Sequence, residues 1–350
     1  MTEPMRYEVM KMTFAEIIND NCEQHSCVNW WPRYAYHVTD ITNAMGILAS
    51  ECLYSRVQAR SKGVMQNDNA SRQVIDITAA QTMAYVRFYF RPLTPTQYYN
   101  EGFKHRKLRY QDDRYANMPV PIFFLFDLEK LLSMQETLFS PVSQAGGGGQ
   151  LMKGATAFSQ MPFDKIYSRG AADKETTLYR HAEILYPQAF AIRDTLRAIY
   201  CRNECDKLTL LNLLRDKNRI VYDKYKAYVR VALDDVYQRN GLFVKSVAFC
   251  DDVIAFAFSD NLEKRAYAQR HLSSGEKLED VDAVFSFEWF HKTNLLHSVF
   301  YEAKLRYLDT QPVTIKLPHI PNAQTLRATL CVEEKLLCVF EQPLASFELI

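Results

Sequence analysis

The sequence holds no run of eighteen apolar residues, so it offers no segment of bilayer-spanning length. Its first residues, Met1-Thr2-Glu3-Pro4, lack the basic and apolar stretches of a secretory signal, so a cytoplasmic protein with no membrane partner is expected. Net charge is nearly absent as well. At +1 over 350 residues, the chain as a whole advertises neither a nucleic-acid nor a membrane partner. The eight cysteines are spread irregularly along the chain. Their only close pairs are Cys22/Cys27 (C-x4-C) and Cys201/Cys205 (C-x3-C), which reads as reduced, mostly buried thiols and no metal. No G-x-x-x-x-G-K-[ST] and no strand-to-helix G-x-G-x-x-G occurs, which excludes a P-loop and a dinucleotide fingerprint. The glycine run at 146–149 reads as a flexible connection, and no internal repeat is present.

What is present is a globular composition, 48% hydrophobic and 24% charged, enough for two domains. Charge is uneven: between Arg56 and Arg114 eleven Lys/Arg stand against five acids. Thr13 to Cys22 patterns as an amphipathic helix. Tyr34 to Thr39 reads as a strand that runs into the short polar residues Asp40 to Asn43, suited to capping a helix over Ala44 to Glu51. Gln58 to Asp76 reads as a loop and Ile77 to Ala84 as a short helix. Val86 to Phe90 alternates like a strand and stops at Arg91-Pro92, since proline cannot donate to a ladder. After a basic loop over Thr94 to Met118 come a buried strand, Val120 to Phe126, and a helix, Leu128 to Leu132, capped by Asp127. Gln150 to Thr177 is loop-like, and Asp194 reads as the cap of a long helix carrying Leu196, Ile199, Tyr200, Leu208, Leu211 and Leu214. Beyond Lys217, short apolar runs at even spacing predict an antiparallel β domain, sandwich or barrel, with one helix near Asn261 to His271. The expected boundary gives domains 1–215 and 216–350.

Chemistry concentrates in Tyr179-Arg180-His181-Ala182-Glu183-Ile184-Leu185-Tyr186-Pro187, a carboxylate at the start of an apolar strand. His181-Ala182-Glu183 is also the opening half of a zinc deaminase signature, but P-C-x-x-C does not follow it. In the basic region, Phe88, Tyr89, Phe90 and Tyr98 interleave with Arg87, Arg91, Arg106 and Arg109. Two readings stand there: aromatics that stack on unpaired bases while the cations follow phosphates, or a solvated loop beside a core strand.

Five segments stand in a particular order: Tyr36-His37-Val38-Thr39-Asp40-Ile41-Thr42-Asn43, Leu53-Tyr54-Ser55-Arg56, the stretch Phe88 to Tyr98, the Phe-rich strand, and Arg180-His181-Ala182-Glu183-Ile184-Leu185. Together they resemble the DarT type of DNA-base ADP-ribosyltransferase toxin. They cover about residues 33–190. The resemblance implies an α+β fold, an ADP-ribosyltransferase-like split β-sheet core with helices, followed by the C-terminal mainly-β domain as an accessory module. It implies NAD as donor substrate, a thymidine or guanosine in single-stranded DNA as acceptor, no metal, and a macrodomain antitoxin as partner in a toxin-antitoxin or phage-defence system. By the same resemblance Glu183 and Arg56 are catalytic, and His37, Thr39, Asn43, Ser55 and Tyr89 bind NAD. Arg87, Arg91, Gln97, Tyr98, Arg106, Arg109, Arg180 and His181 would contact DNA. Leu93, Thr96-Gln97 and His181 depart from the family pattern where the acceptor is chosen, so the modified base stays open. The alternatives are transfer to RNA or protein, and a non-catalytic nucleic-acid-binding protein.

Physical chemistry fits these roles. Breaking a glycosidic bond develops positive charge that a carboxylate stabilises, and a guanidinium fork matches pyrophosphate in a way that lysine does not.

Overall fold

The computed structural model describes residues 12–66, 82–109, 117–145, 149–232, 236–260 and 262–344. Most of the expected helix Ile77–Ala84, the end of the loop before it and most of the glycine run lie outside the described residues.

A seven-stranded sheet organises the first half, in the order β5 (Leu138–Ser140), β6 (Glu183–Pro187), β3 (Tyr85–Tyr89), β1 (Tyr34–Asp40), β4 (Pro121–Asp127), β8 (Leu196–Cys201) and β9 (Val229–Val231). Every neighbouring pair is antiparallel except β8 and β9. Strand β4 is buried along nearly its whole length because both of its faces are covered, which is why it reads as one unbroken apolar run. Outside this sheet β2 (Cys52–Tyr54) pairs with β7 (Ala189–Ala191).

Local signals set the helix starts. Thr13 and Glu16 form a capping box at helix Phe14–Gln24, Asp40 accepts the Thr42 N–H at helix Ile41–Ser50, and Asp127 accepts the Lys130 N–H at helix Leu128–Leu132. Asp40 therefore ends the central strand and starts the next helix in one residue, which fixes β1 against the helix that follows it.

Three expectations change. The long helix from Asp194 does not form: Leu196–Cys201 is strand β8, and the helix spans Glu204–Lys217 with Asn203 accepting the Asp206 N–H at 2.8 Å. Bulky Leu196, Ile199 and Tyr200 gain more as a strand between β4 and β9 than on a helix face, so tertiary burial overrides the apparent helical period. Helix Arg219–Tyr225 and β9 replace the single run expected over Ile220 to Leu233, and β9 completes the first sheet beyond residue 215. Helices Arg56–Ser61, Pro95–Asn100 and Lys174–Tyr179 appear inside stretches that read as loops. Asn203→Ala is expected to cost about 1–2 kcal/mol, and Asp194→Ala less than about 0.5 kcal/mol, by thermal unfolding. The reverse order would contradict the helix start at Asn203.

The C-terminal half is antiparallel, as expected. One sheet joins β10 (Val244–Cys250), β11 (Val253–Phe258) and β14 (Val313–Lys316), and a second joins β13 (Asn294–Leu305), β12 (Val281–His291), β15 (Thr325–Val332) and β16 (Lys335–Pro343). Their inner residues share one core, in which the Phe256 ring meets Phe285 at 5.0 Å. Helix Leu262–His271 packs Tyr267 and Ala268 into it. Among the described residues no helix is long and apolar enough to cross a membrane.

Candidate active site

Strand alternation places His37 and Thr39 on one face of β1, and helix Ile41–Ser50 sets Asn43 beside them. Asn43 Nδ2 donates to Thr39 Oγ1 at 3.2 Å, and Asn43 Oδ1 accepts the Gln66 N–H at 3.0 Å. His37 Nδ1 lies 3.0 Å from the Arg87 carbonyl, and burial pushes its pKa down. These residues line a cavity of about 280 Å³ together with Arg56, Arg87, Tyr89 and Glu183.

Glu183 opens β6 opposite Tyr89 of β3, and only 1% of it is exposed. The Ser143 hydroxyl donates to Oε1 at 3.1 Å, the Gln144 N–H donates to Oε2 at 3.2 Å, and Arg87 Nη1 stands 3.8 Å from Oε1. Burial raises its pKa, and Arg87 and the two hydrogen bonds pull in the opposite direction. Tyr89 is pushed up to about 12, first by burial and then by the Glu183 charge. The cavity thus holds one desolvated carboxylate with the Arg87 guanidinium beside it and Arg56 on the lining, a setting for a ligand that carries phosphate at one end and develops positive charge at the other.

Other residues singled out in the sequence lie elsewhere. Ser55 is the cap of helix Arg56–Ser61, its hydroxyl accepting the Gln58 N–H at 3.4 Å, and it does not line the cavity. Arg91 is buried over the Trp31 ring and donates to the carbonyls of Pro92, Ile166 and Ser168. Burial, with Arg180 and Arg169 nearby, pushes it down to about 9. Gln97 is wholly buried, and Tyr98 packs on Tyr267 in the C-terminal core. Arg106 is exposed and pairs with Glu279, and Arg109 donates to Glu333 at 2.7 Å. Arg180 ties back to Ser168 Oγ and the Gly170 carbonyl, and burial pushes His181 down to about 4. Cys205 faces Cys338 at 3.9 Å, and no cluster of three or more His, Cys, Asp or Glu able to hold a metal occurs among the described residues.

The sequence reading did not single out Ser143, Gln144 or Asn100. Gln144 closes its loop by donating to Ser140 Oγ at 2.8 Å and to the Gly149 carbonyl at 3.0 Å, while its backbone holds Glu183. No local pattern marks these residues, since a serine and a glutamine before a glycine run fit any polar loop.

The family model described as ssDNA thymidine ADP-ribosyltransferase, DarT, matches residues 36–233. Among solved structures, Thermus sp. 2.9 DarT in complex with carba-NAD+ is similar at 18% identity, covering 59% of this chain and 98% of that chain with a TM-score of 0.46. The same protein in complex with ADP-ribosylated ssDNA is similar at 17% identity, covering 59% and 96% with a TM-score of 0.47. Thermosipho africanus DarTG in complex with ADP-ribose is similar at 14% identity, covering 62% and 53% with a TM-score of 0.46. No curated protein matches the chain.

Proposed function

This chain belongs to the DarT family of single-stranded-DNA ADP-ribosyltransferases, enzymes that use NAD to modify DNA, and on that premise we propose that thymidine is its acceptor. The observation that carries the reading is Glu183, buried, held by Ser143, Gln144 and Arg87, in one cavity with His37, Thr39, Asn43 and Arg56.

In this reading Arg56 receives the NAD pyrophosphate, while His37, Thr39, Asn43 and Tyr89 hold the nicotinamide ribose. As the bond from ribosyl C1′ to nicotinamide breaks, the pair of electrons leaves with nicotinamide, and Glu183 stabilises the cationic ribosyl group. Thymine has one ring N–H. Its nitrogen bonds to C1′ and the proton passes to the Glu183 carboxylate, whose raised pKa suits it to accept one. Arg87 and His181 remain our candidates for the acceptor side, with the exposed Arg106. Arg91, Gln97, Tyr98, Arg109 and Arg180 are not carried into the reading, because their side chains are held in the fold as described above.

Incubation of the protein with NAD and single-stranded oligonucleotides of each base, followed by mass spectrometry, should add one ADP-ribose to thymidine-containing DNA. Addition to guanosine alone would overturn the thymidine assignment. An enzyme that marks DNA bases stops replication, so we also propose a toxin role in the cytoplasm, in a toxin-antitoxin or phage-defence pair with a macrodomain antitoxin that removes the mark. Expression should arrest growth, and co-expression of an ADP-ribosyl hydrolase should relieve it. Arrest by a Glu183→Gln variant would disconnect toxicity from transfer.

The pH dependence has a defined sign. The active form is the carboxylate, so transfer should fall as pH drops through the raised pKa of Glu183. Arg87 lowers that pKa, and Arg87→Met should therefore move the acid limb to higher pH. A limb that stays in place or moves down would remove Arg87 from contact with Glu183.

A further inference from the structure

Helix Pro95–Asn100 presents Thr96 and Asn100 to the cavity that holds Glu183. Its opposite side is fastened to the segment that leads into the C-terminal half. Gln97 accepts the Leu93 N–H at 2.6 Å and donates through Nε2 to Glu101 Oε2 at 2.6 Å and to the Val236 carbonyl at 2.8 Å. Glu101, with no exposed surface, accepts the backbone N–H groups of Gln238 at 2.8 Å and Arg239 at 2.7 Å. Asn240 Nδ2 donates to the Tyr98 carbonyl at 2.8 Å, and Phe103 and Leu242 exchange backbone hydrogen bonds at 3.0 and 2.9 Å. Gly102 and Gly241 touch backbone to backbone, and a Cβ on Gly241 would lie 2.8 Å from Gly102 Cα.

A buried carboxylate whose two oxygens both receive N–H donors has one orientation, and it pulls the segments that supply those donors into one position. Both sides of this seam are anchored in larger bodies. Met118, before β4, donates its N–H to the Asn100 carbonyl, and Leu242 enters the core that the two C-terminal sheets share.

We propose that Glu101 is a positioning residue for the donor cavity, and that through it the connecting segment 236–242 and the C-terminal half set the cavity wall formed by Thr96 and Asn100. The inference rests on the reading of that cavity as the NAD site. It also moves the working boundary between the halves from residue 215 to this seam, and it makes the described part of the C-terminal half a buttress of the donor site rather than a removable accessory module.

The test uses full-length Gly241→Ala and Glu101→Gln, with Phe300→Ser on exposed strand β13 as a control. NAD binding is measured by calorimetry, transfer at saturating NAD by mass, and the amides of residues 97–100 by hydrogen exchange. Gly241→Ala should weaken NAD binding by about tenfold or more, speed exchange in those amides, and leave the rate at saturating NAD within about threefold, while the control matches the parent. If Gly241→Ala does not fold, Glu101→Gln decides, because it keeps the side-chain volume and one acceptor oxygen. A folded variant with parental exchange and parental NAD affinity overturns the inference. A parent protein that binds no NAD sinks the donor-site reading instead, and the exchange data still decide whether Glu101 positions the helix.

Discussion

Glu183→Gln is expected to lower the transfer rate by about a thousandfold while NAD affinity changes only a few-fold. The substitution keeps the side-chain volume at a position that is 1% exposed, and its remaining carbonyl oxygen can still accept from Ser143 or the Gln144 N–H. What it removes is negative charge, and that charge acts where burial leaves little water to screen it. A neutral amide neither stabilises the cationic ribosyl group nor accepts the thymine proton. The ground-state contacts to NAD survive, which is why the loss belongs in the rate and not in binding. Single-turnover assays with an oligonucleotide acceptor, alongside calorimetry with NAD, separate the two. A variant that keeps its rate within about tenfold would show that Glu183 is not the catalytic carboxylate.

Arg56→Ala is expected to weaken NAD binding by about tenfold to a hundredfold, the cost of losing charge-assisted hydrogen bonds to phosphate. Arg56 is the first residue of a helix whose cap, Ser55, is itself buried, so the guanidinium starts from a fixed backbone position on the cavity wall. Arg56→Lys should recover little, because an ammonium reproduces the charge but not the planar fork. Calorimetry reads the affinity directly. Unchanged affinity and rate in Arg56→Ala would remove this residue from the donor site.

Some elements were legible because their signals are local. Asp40 before Ile41-Thr42-Asn43 and Asp127 before Leu128 are caps that satisfy N–H groups two or three residues on, and both helices start there. Strand β4 announces itself as an apolar run because both of its faces are buried. The stretch from Leu196 to Leu214 misled for the opposite reason. Its apolar residues fit a helical period, but the first part is paired to β4 and β9, and nothing near residue 196 records partners at 122–126 and 229–231.

The same division runs through the site. His37, Thr39, Asn43, Arg56, Tyr89 and Glu183 were named from ordered motifs and Arg87 from the basic region, and the fold gathers them around one cavity. The basic aromatic region pointed to Arg91, Tyr98 and Arg109, and the family resemblance to Gln97, as contacts for DNA. Charge and aromaticity look alike in sequence whether they face a ligand or another part of the fold, and these side chains meet backbone carbonyls, Glu333 and the C-terminal core.

By itself the sequence determined the family and its NAD-dependent transfer, together with an antiparallel C-terminal half, and it nominated Glu183, Arg56 and the strand of His37 and Thr39 for that chemistry. Those depend on residue type, order and short-range period, which the chain carries locally. Tertiary structure alone decided that Ser143 and Gln144 hold Glu183, that β9 completes the first sheet, and that Glu101 joins the cavity wall to residues 238 and 239. The physical reason is separation along the chain: each is a contact between segments 30 or more residues apart, specified by burial and hydrogen-bond satisfaction over the whole fold and by no local pattern.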